Sequence, residues 1–241
     1  AHNSSGPALG IPDRHLVVQA ASGLVAVFNQ AGILNPADVH TADVVCRIGR
    51  DPDERVRLAL ALTVRALRNG SVCIDLRTVH TTAFDEMEAT IDVAALPWPE
   101  SDKWITACKA SPLVADGAGQ PGGRPLRLAG DLLYLERYWQ QEELVRVQLQ
   151  RRFAAPAPEI DQSRLSAALP RLFDHEGLAP DEADRQQLAA AVSALGRVSV
   201  LAGGPGTGKT TTVARLLALL RDQPGPALRI ALAAPTGKAA A

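Results

Sequence analysis

The sequence predicts an α/β protein in two parts: a mainly helical N-terminal domain with short strands over residues 1–155, and over residues 156–241 the beginning of a second domain with a parallel sheet. Three observations predict it. Apolar residues recur at three- and four-residue spacing from Leu16 to Leu67, as helices with one buried face require. A proline-rich run, Ala154-Ala155-Pro156-Ala157-Pro158, then reads as a linker. Beyond it, an apolar run over residues 198–202, a glycine-rich turn, an amphipathic helix and a second apolar run over residues 229–233 spell strand, loop, helix, strand: one βαβ unit.

Each element has its own signal. Leu16, Val17, Ala20, Leu24, Val27 and Phe28 form the first helical stripe, which closes on Ala31-Gly32. Asn35-Pro36 offers a capping side chain followed by a proline at the first helical position, opening a helix toward Cys46. Asp51-Pro52 repeats the device, and Val56, Leu60, Thr63, Val64 and Leu67 continue a stripe until Asn69-Gly70 ends it. Ser71-Val72-Cys73-Ile74-Asp75-Leu76 is a short β-rich run. Residues 85–95 are expected to be helical before Pro97-Trp98-Pro99 breaks the pattern, and a further helix is expected from Ser101 to Lys109. Leu113-Val114 and Leu126-Arg127-Leu128 are expected as strands joined by residues 117–124 in a hairpin turn or flexible loop, with residues 132–135 extending the second strand. A helix then runs from about Tyr134 to Arg152. After the linker, residues 164–173 and 181–195 read as helices, with Asp181-Glu182 complementing a helix start and Gly196 a stop.

Composition bounds the function. With 241 residues and 46% hydrophobic content, the chain can bury a sizeable core in one or two domains. Lys and Arg number 25 against 26 Asp and Glu, so no global basic field points to nucleic acid, and any such contact must be local or lie outside these residues. Cys46, Cys73 and Cys108 are odd in number, far apart and without a CxxC pair, which argues against a disulfide framework or a zinc site and for a reduced, cytoplasmic protein. The N-terminus has neither a basic start nor an apolar run, and no uninterrupted apolar stretch of about 18 residues occurs, so no signal peptide and no membrane span are expected. His40, His80 and His175 are isolated and show no metal-ligand spacing.

The chemistry concentrates in Gly203-Gly204-Pro205-Gly206-Thr207-Gly208-Lys209-Thr210, which fits the G-x-x-x-x-G-K-[ST] phosphate-loop pattern at every fixed position. Phosphate oxygens need several N–H donors in a concave array, and glycines permit the backbone angles and close approach that this array requires. The following helix adds its positive end and free N–H groups. Lys209 would reach the β- and γ-phosphates of ATP, and the Thr210 hydroxyl would help to hold Mg²⁺. Upstream, Gln186 carries an amide with both a donor and an acceptor, as the adenine edge demands, and on spacing alone the adjacent Gln187 stays open as an alternative. Downstream, Ala234-Pro235-Thr236-Gly237-Lys238 leaves the end of the next strand, where open α/β sheets place ligands. That segment is either an ordinary strand-to-helix turn or a contact to the phosphates of a nucleic-acid backbone.

Taken together, Leu201-Ala202-Gly203-Gly204-Pro205-Gly206-Thr207-Gly208-Lys209-Thr210-Thr211-Thr212-Val213, with Gln186 before it and Ala233-Ala234-Pro235-Thr236-Gly237-Lys238-Ala239-Ala240-Ala241 after it, resembles the RecD family of superfamily 1 DNA helicases. Residues 70–76 and 133–139 resemble, more loosely, segments that precede the motor in that family. The resemblance implies a RecA-like ATPase domain, with Gln186 as the Q-motif residue and residues 203–211, Thr211 included, as motif I. It makes residues 234–240 motif Ia, with Pro235, Thr236, Gly237 and Lys238 touching single-stranded DNA. It implies ATP and Mg²⁺ as cofactors, RecB-like and RecC-like subunits as partners, and 5′–3′ movement on DNA during double-strand-break repair and recombination. Residues 1–155 would then dock the motor on its partners.

Such a motor also needs a Walker B carboxylate pair, arginine fingers and a second RecA-like domain. None follows the loop before Ala241, so the chain is expected to belong to a longer subunit and to be inactive alone. Asp75, Asp85-Glu86 and Asp131 precede the loop, where the resemblance gives them no such role. A stand-alone RecD-like helicase, a non-catalytic docking module and an AAA+ ATPase are the alternatives. Tyr134 and Tyr138, at i and i+4, would share a helix face, and with Trp98, Trp104 and Trp139 are better read as packing than as base-stacking platforms.

Overall fold

The computed structural model describes residues 17–82, 93–117, 119, 123–173 and 184–234. The chain divides into two compact units, Ala1–Leu144 and Val145–Ala241.

The first unit is built around one buried helix. Helices α1 (Gly23–Gln30), α2 (Pro36–Gly49) and α3 (Glu54–Arg68) follow one another closely. The Asn35 side chain accepts from the Asp38 N–H while the Asp38 carboxylate accepts from the Asn35 N–H, a reciprocal cap that starts α2 where Asn35-Pro36 predicts it. Helix α3 is capped by Asp53, which accepts from the Arg55 N–H, and not by Asp51. Asp51 is buried, and its carboxylate is already taken by the Asp53 N–H and the Ser111 hydroxyl. Val56, Leu58, Ala59, Leu60, Ala61 and Leu62 of α3 are at most 1% exposed, so the middle of this helix is buried on most of its faces and lies in the core. Each of the Val and Leu side chains among them contributes about 1.5–3 kcal/mol by leaving water.

A four-stranded sheet completes the unit, in the order β1 (Cys73–Asp75), β4 (Leu132–Leu135), β3 (Leu126–Ala129), β2 (Val114–Asp116). The short helix α4 (Val79–Thr82), a 3₁₀ turn at Val93–Ala95 and helix α5 (Ser101–Ala110) lie between β1 and β2. Of the helix expected over residues 85–95, all but that turn lies outside the described residues. Two strand expectations are corrected. β2 and β3 are not a hairpin but a parallel pair, with Val114 opposite Leu126 and Asp116 opposite Leu128. Parallel neighbours ordinarily need a long crossover, but a three-residue strand is only about 10 Å long, so the connecting loop can run back over it. The hairpin instead joins β3 to β4, which is a strand in its own right: Ala129 faces Leu132 across Gly130-Asp131, and Gly130 takes φ +65°, which a glycine reaches without strain.

β4 runs straight into α6 (Glu136–Ala154). Tyr134 therefore sits in β4, paired with Cys73, and not on a helix face with Tyr138. The turn into α6 is fixed by Arg127 of β3, 1% exposed, whose guanidinium donates to both carboxylate oxygens of Glu136 at 2.6 and 2.8 Å and to the Gly117 carbonyl, and lies 4.2 Å from the Trp139 ring centre. Trp98 and Trp104 are packing residues, as expected. Trp98 meets Phe28 edge-on at 4.6 Å, and Trp104 donates its indole N–H to the Arg55 carbonyl.

The second unit comprises the C-terminal part of α6 followed by α7 (Gln162–Leu172), α8 (Arg185–Leu195) and α9 (Lys209–Arg221). Its core is small: Leu165, Ala168, Phe173, Ala190, Ala194 and Leu219. Residues 198–202 and 229–233 were expected as strands but join no ladder among the described residues, and Val200 and Leu232 stay 88% and 78% exposed. A buried parallel strand needs hydrogen-bonded neighbours, and consecutive strands of an open α/β sheet need not be each other's neighbours. No helix among the described residues is long and apolar enough to cross a membrane.

Candidate nucleotide-binding site

The glycine loop leads directly into α9, as the sequence predicts. Gly208 is the N-cap of α9 and takes φ +77°, and Gly206 takes φ +74°, backbone that L side chains rarely adopt. Space imposes a second demand. A Cβ on Gly208 would stand 2.6 Å from Gln186 Nε2, and one on Gly203 would stand 2.7 Å from Thr207 Oγ1. A side chain at 203 or 208 would therefore have to displace Thr207 or Gln186 from the loop.

The side chains converge on this loop. Lys209 donates to the Gly203 and Gly204 carbonyls, both at 2.6 Å, and the Thr207 hydroxyl donates to the Gly204 carbonyl at 2.9 Å. Gln186 Nε2 donates to the Thr207 carbonyl at 3.3 Å, so Gln186, not Gln187, is the α8 glutamine bonded to the loop. Thr210 and Thr211 lie exposed in the first turn of α9, where backbone N–H groups have no intrahelical acceptor. Thr212 is buried and bonds back to the Gly208 carbonyl, pinning the loop to the helix. The inner face of α9 runs through buried Thr212 and Leu219 with Leu216 partly buried beside them, and Val213 is 37% exposed.

Sequence reading missed the residue that caps the helix carrying Gln186. Asp184 caps α8, accepting from the Gln186 and Gln187 N–H groups at 2.8 and 3.1 Å. The signal was present in Asp184-Arg185-Gln186-Gln187, an acidic cap with glutamine three residues on, as in a capping box. The helix start assigned to Asp181-Glu182 lies outside the described residues, as do Pro235, Thr236, Gly237 and Lys238.

These residues fit a nucleoside triphosphate with its metal ion. The glycine loop and the N-terminal end of α9 would present backbone N–H groups to phosphate oxygens, Lys209 would supply the cation, and the Thr210 hydroxyl would be a hard oxygen ligand for the metal ion.

Two family models match the chain. Residues 30–134 match the family model described as RecBCD enzyme subunit RecD, N-terminal domain, and residues 186–241 match an AAA domain. The chain is 47% identical over 226 residues to the RecBCD enzyme subunit RecD of Mycobacterium tuberculosis (strain ATCC 25618 / H37Rv), covering 92% of this chain and 35% of that protein. It is 47% identical over 215 residues to the subunit of the same name from Mycolicibacterium smegmatis, covering 88% and 34%. The Haemophilus influenzae protein of that name is 36% identical over 122 residues, covering 48% and 18%. The chain thus spans about a third of the length of the mycobacterial relatives it matches. Over the residues matched, the chain is similar to a RecD N-terminal domain followed by part of an AAA domain.

Proposed function

We propose that the chain forms the N-terminal portion of an ATP-dependent DNA helicase subunit that works with RecB-like and RecC-like partners in the cytoplasm. The subunit would move 5′ to 3′ on DNA in double-strand-break repair and recombination. One observation carries the reading: Gln186 and Lys209 meet on one glycine loop at the head of α9, in a chain 47% identical to proteins named as the RecD subunit of a RecBCD enzyme. In this reading residues 156–241 open the motor, and residues 1–155 hold it on its partners. Residues 235–238 touch single-stranded DNA.

Bound ATP with Mg²⁺ supplies the transferable phosphoryl group whose hydrolysis drives movement. The chain's own residues bind and orient it. The N–H groups of the loop and of the first turn of α9 would hold the phosphates, and Lys209, bonded here to two loop carbonyls, would supply the cation to them. Thr210 holds the metal, and the Gln186 amide matches the donor and acceptor of the adenine edge. Lys209→Ala in the full-length subunit is expected to weaken binding of a fluorescent ATP analogue about tenfold or more, the worth of one or two charge-assisted hydrogen bonds, and to abolish unwinding. Unchanged binding and unwinding in that variant would overturn the proposal.

A further inference from the structure

Helix α6 carries an uncovered face. Of its nineteen residues only Glu136 is buried, and among the described residues no other helix or strand packs along its second half. A surface helix ordinarily buries one apolar stripe, because the packing of that stripe is what holds the helix in place. The stripe exists here but stands in water. Val145, Leu149 and Phe153 fall at i, i+4 and i+8, which puts them on one face, and they are 57%, 40% and 66% exposed.

The charge beside the stripe is of one sign. From Leu144 to Ala154 the helix has Arg146, Arg151 and Arg152 and no Asp or Glu. By helical geometry Arg152 borders the stripe on one side and Arg146 on the other. Arg152 Nη1 donates to the Gln148 carbonyl and to Gln148 Oε1, at 3.0 and 3.1 Å. Both acceptors are neutral, so they orient the guanidinium and leave its charge in place.

A cavity of about 320 Å³ opens on the Arg152 side, lined by Gln148, Arg151, Arg152, Ala155 and Arg197. Arginines in the last turn suit the helix end, but Arg197 arrives from beyond α8 and is held by a bond from its Nε to the Pro156 carbonyl at 2.6 Å. That acceptor is neutral as well. Arg151, Arg152 and Arg197 are all exposed, and no carboxylate among the described residues pairs with any of them.

A face that joins apolar side chains to unpaired guanidinium groups matches a protein groove with an apolar floor and acidic side chains on its rim. A nucleic-acid backbone would meet the arginines and leave Val145 and Leu149 in water. We propose that the second half of α6 is a docking helix that holds this chain on a partner protein. Val145, Leu149 and Phe153 enter the partner's apolar groove, and Arg151, Arg152 and Arg197 meet the acidic rim. The proposal rests on the reading of the chain as one subunit of a larger enzyme and names the surface that joins it to the rest.

The test uses the full-length subunit with its purified RecB-like and RecC-like partners, followed by size-exclusion chromatography and by affinity titrations at several salt concentrations. Leu149→Glu combined with Phe153→Glu should abolish co-elution. Phe153→Ala alone should weaken affinity about tenfold or more, as truncating a buried aromatic anchor does. Arg151→Glu combined with Arg152→Glu should flatten the salt dependence of association. In each variant the free subunit should keep its thermal midpoint and its binding of a fluorescent ATP analogue. If the wild-type subunit does not join the partners, the subunit reading and the docking helix fall together. If the wild type joins and the Leu149/Phe153 variant joins equally well, the docking helix alone is overturned. It is overturned equally if that variant lowers the thermal midpoint of the free subunit, which would mean that the subunit's own chain covers the stripe. Loss of self-association alone, or of binding to a single-stranded oligonucleotide alone, would also overturn it by assigning the face to another occupant.

Discussion

At the residue scale, the phosphate loop was legible because its chemistry is written locally. Four glycines, a lysine and a threonine at fixed spacing describe a backbone shape and the charges around it, and both survive whatever the rest of the chain does. What was not legible is which atoms those residues use. Lys209 places its ammonium on two loop carbonyls, and the Gln186 amide reaches from α8 to the Thr207 carbonyl, a contact between positions in separate elements. Gly208 shows how tightly the loop is specified. Gly208→Ala combines a φ of +77° with a Cβ 2.6 Å from Gln186 Nε2, and should cost about 1–2 kcal/mol in urea unfolding from the backbone alone. Nucleotide affinity should fall with it, because Gln186 must move. Wild-type stability and affinity in that variant would show that the loop tolerates a side chain there.

At the scale of elements, the helices were readable from their ends. Asn35-Pro36 and Gly196 mark boundaries by local hydrogen bonding and backbone preference, so sequence and structure agree there. Strand pairing was not readable, because the direction of a neighbour is decided by tertiary packing: Leu126-Arg127-Leu128 looks the same whether its partner runs parallel or antiparallel. Arg127 was also hidden, since a charged residue in a short strand reads as solvent-facing until its partner is known. The structure buries it against Glu136, whose carboxyl is held below its ordinary value by the hydrogen bonds from Arg127. A carboxylate with a depressed value adds stability above its unfolded value and loses it as pH falls through the folded one. Glu136→Gln should therefore destabilise the first unit by about 3 kcal/mol at pH 7, the usual cost of breaking a buried pair. The two proteins should converge in thermal stability as pH drops below the ordinary glutamate value of 4.5. A stability difference that does not change with pH would show that the ion pair is not its source.

At the scale of the whole molecule, the even overall charge conceals two unlike units. Val145–Ala241 carries twelve Lys and Arg against eight Asp and Glu, a formal +4, while the rest is −5. Composition read over the whole chain averaged this away. The cores differ as sharply: among the described residues the first unit has twenty-six buried apolar residues in its main cluster, the second six. Stability follows buried apolar area, so the second unit should unfold first. All three tryptophans lie in the first unit, which makes the order easy to read. In a urea titration the far-ultraviolet circular dichroism should begin to fall before tryptophan fluorescence changes. Superimposable transitions would mean that the chain unfolds as a single cooperative body.

The grip of Lys209 on two glycine carbonyls also sets the energetics of the loop. An ammonium bonded to two carbonyls would, on meeting a phosphate, exchange one set of acceptors for another. The carbonyls it leaves behind must then find water or a new donor. Affinity at this loop is accordingly a difference between two strong sets of bonds, and modest changes in loop shape are enough to tilt it either way.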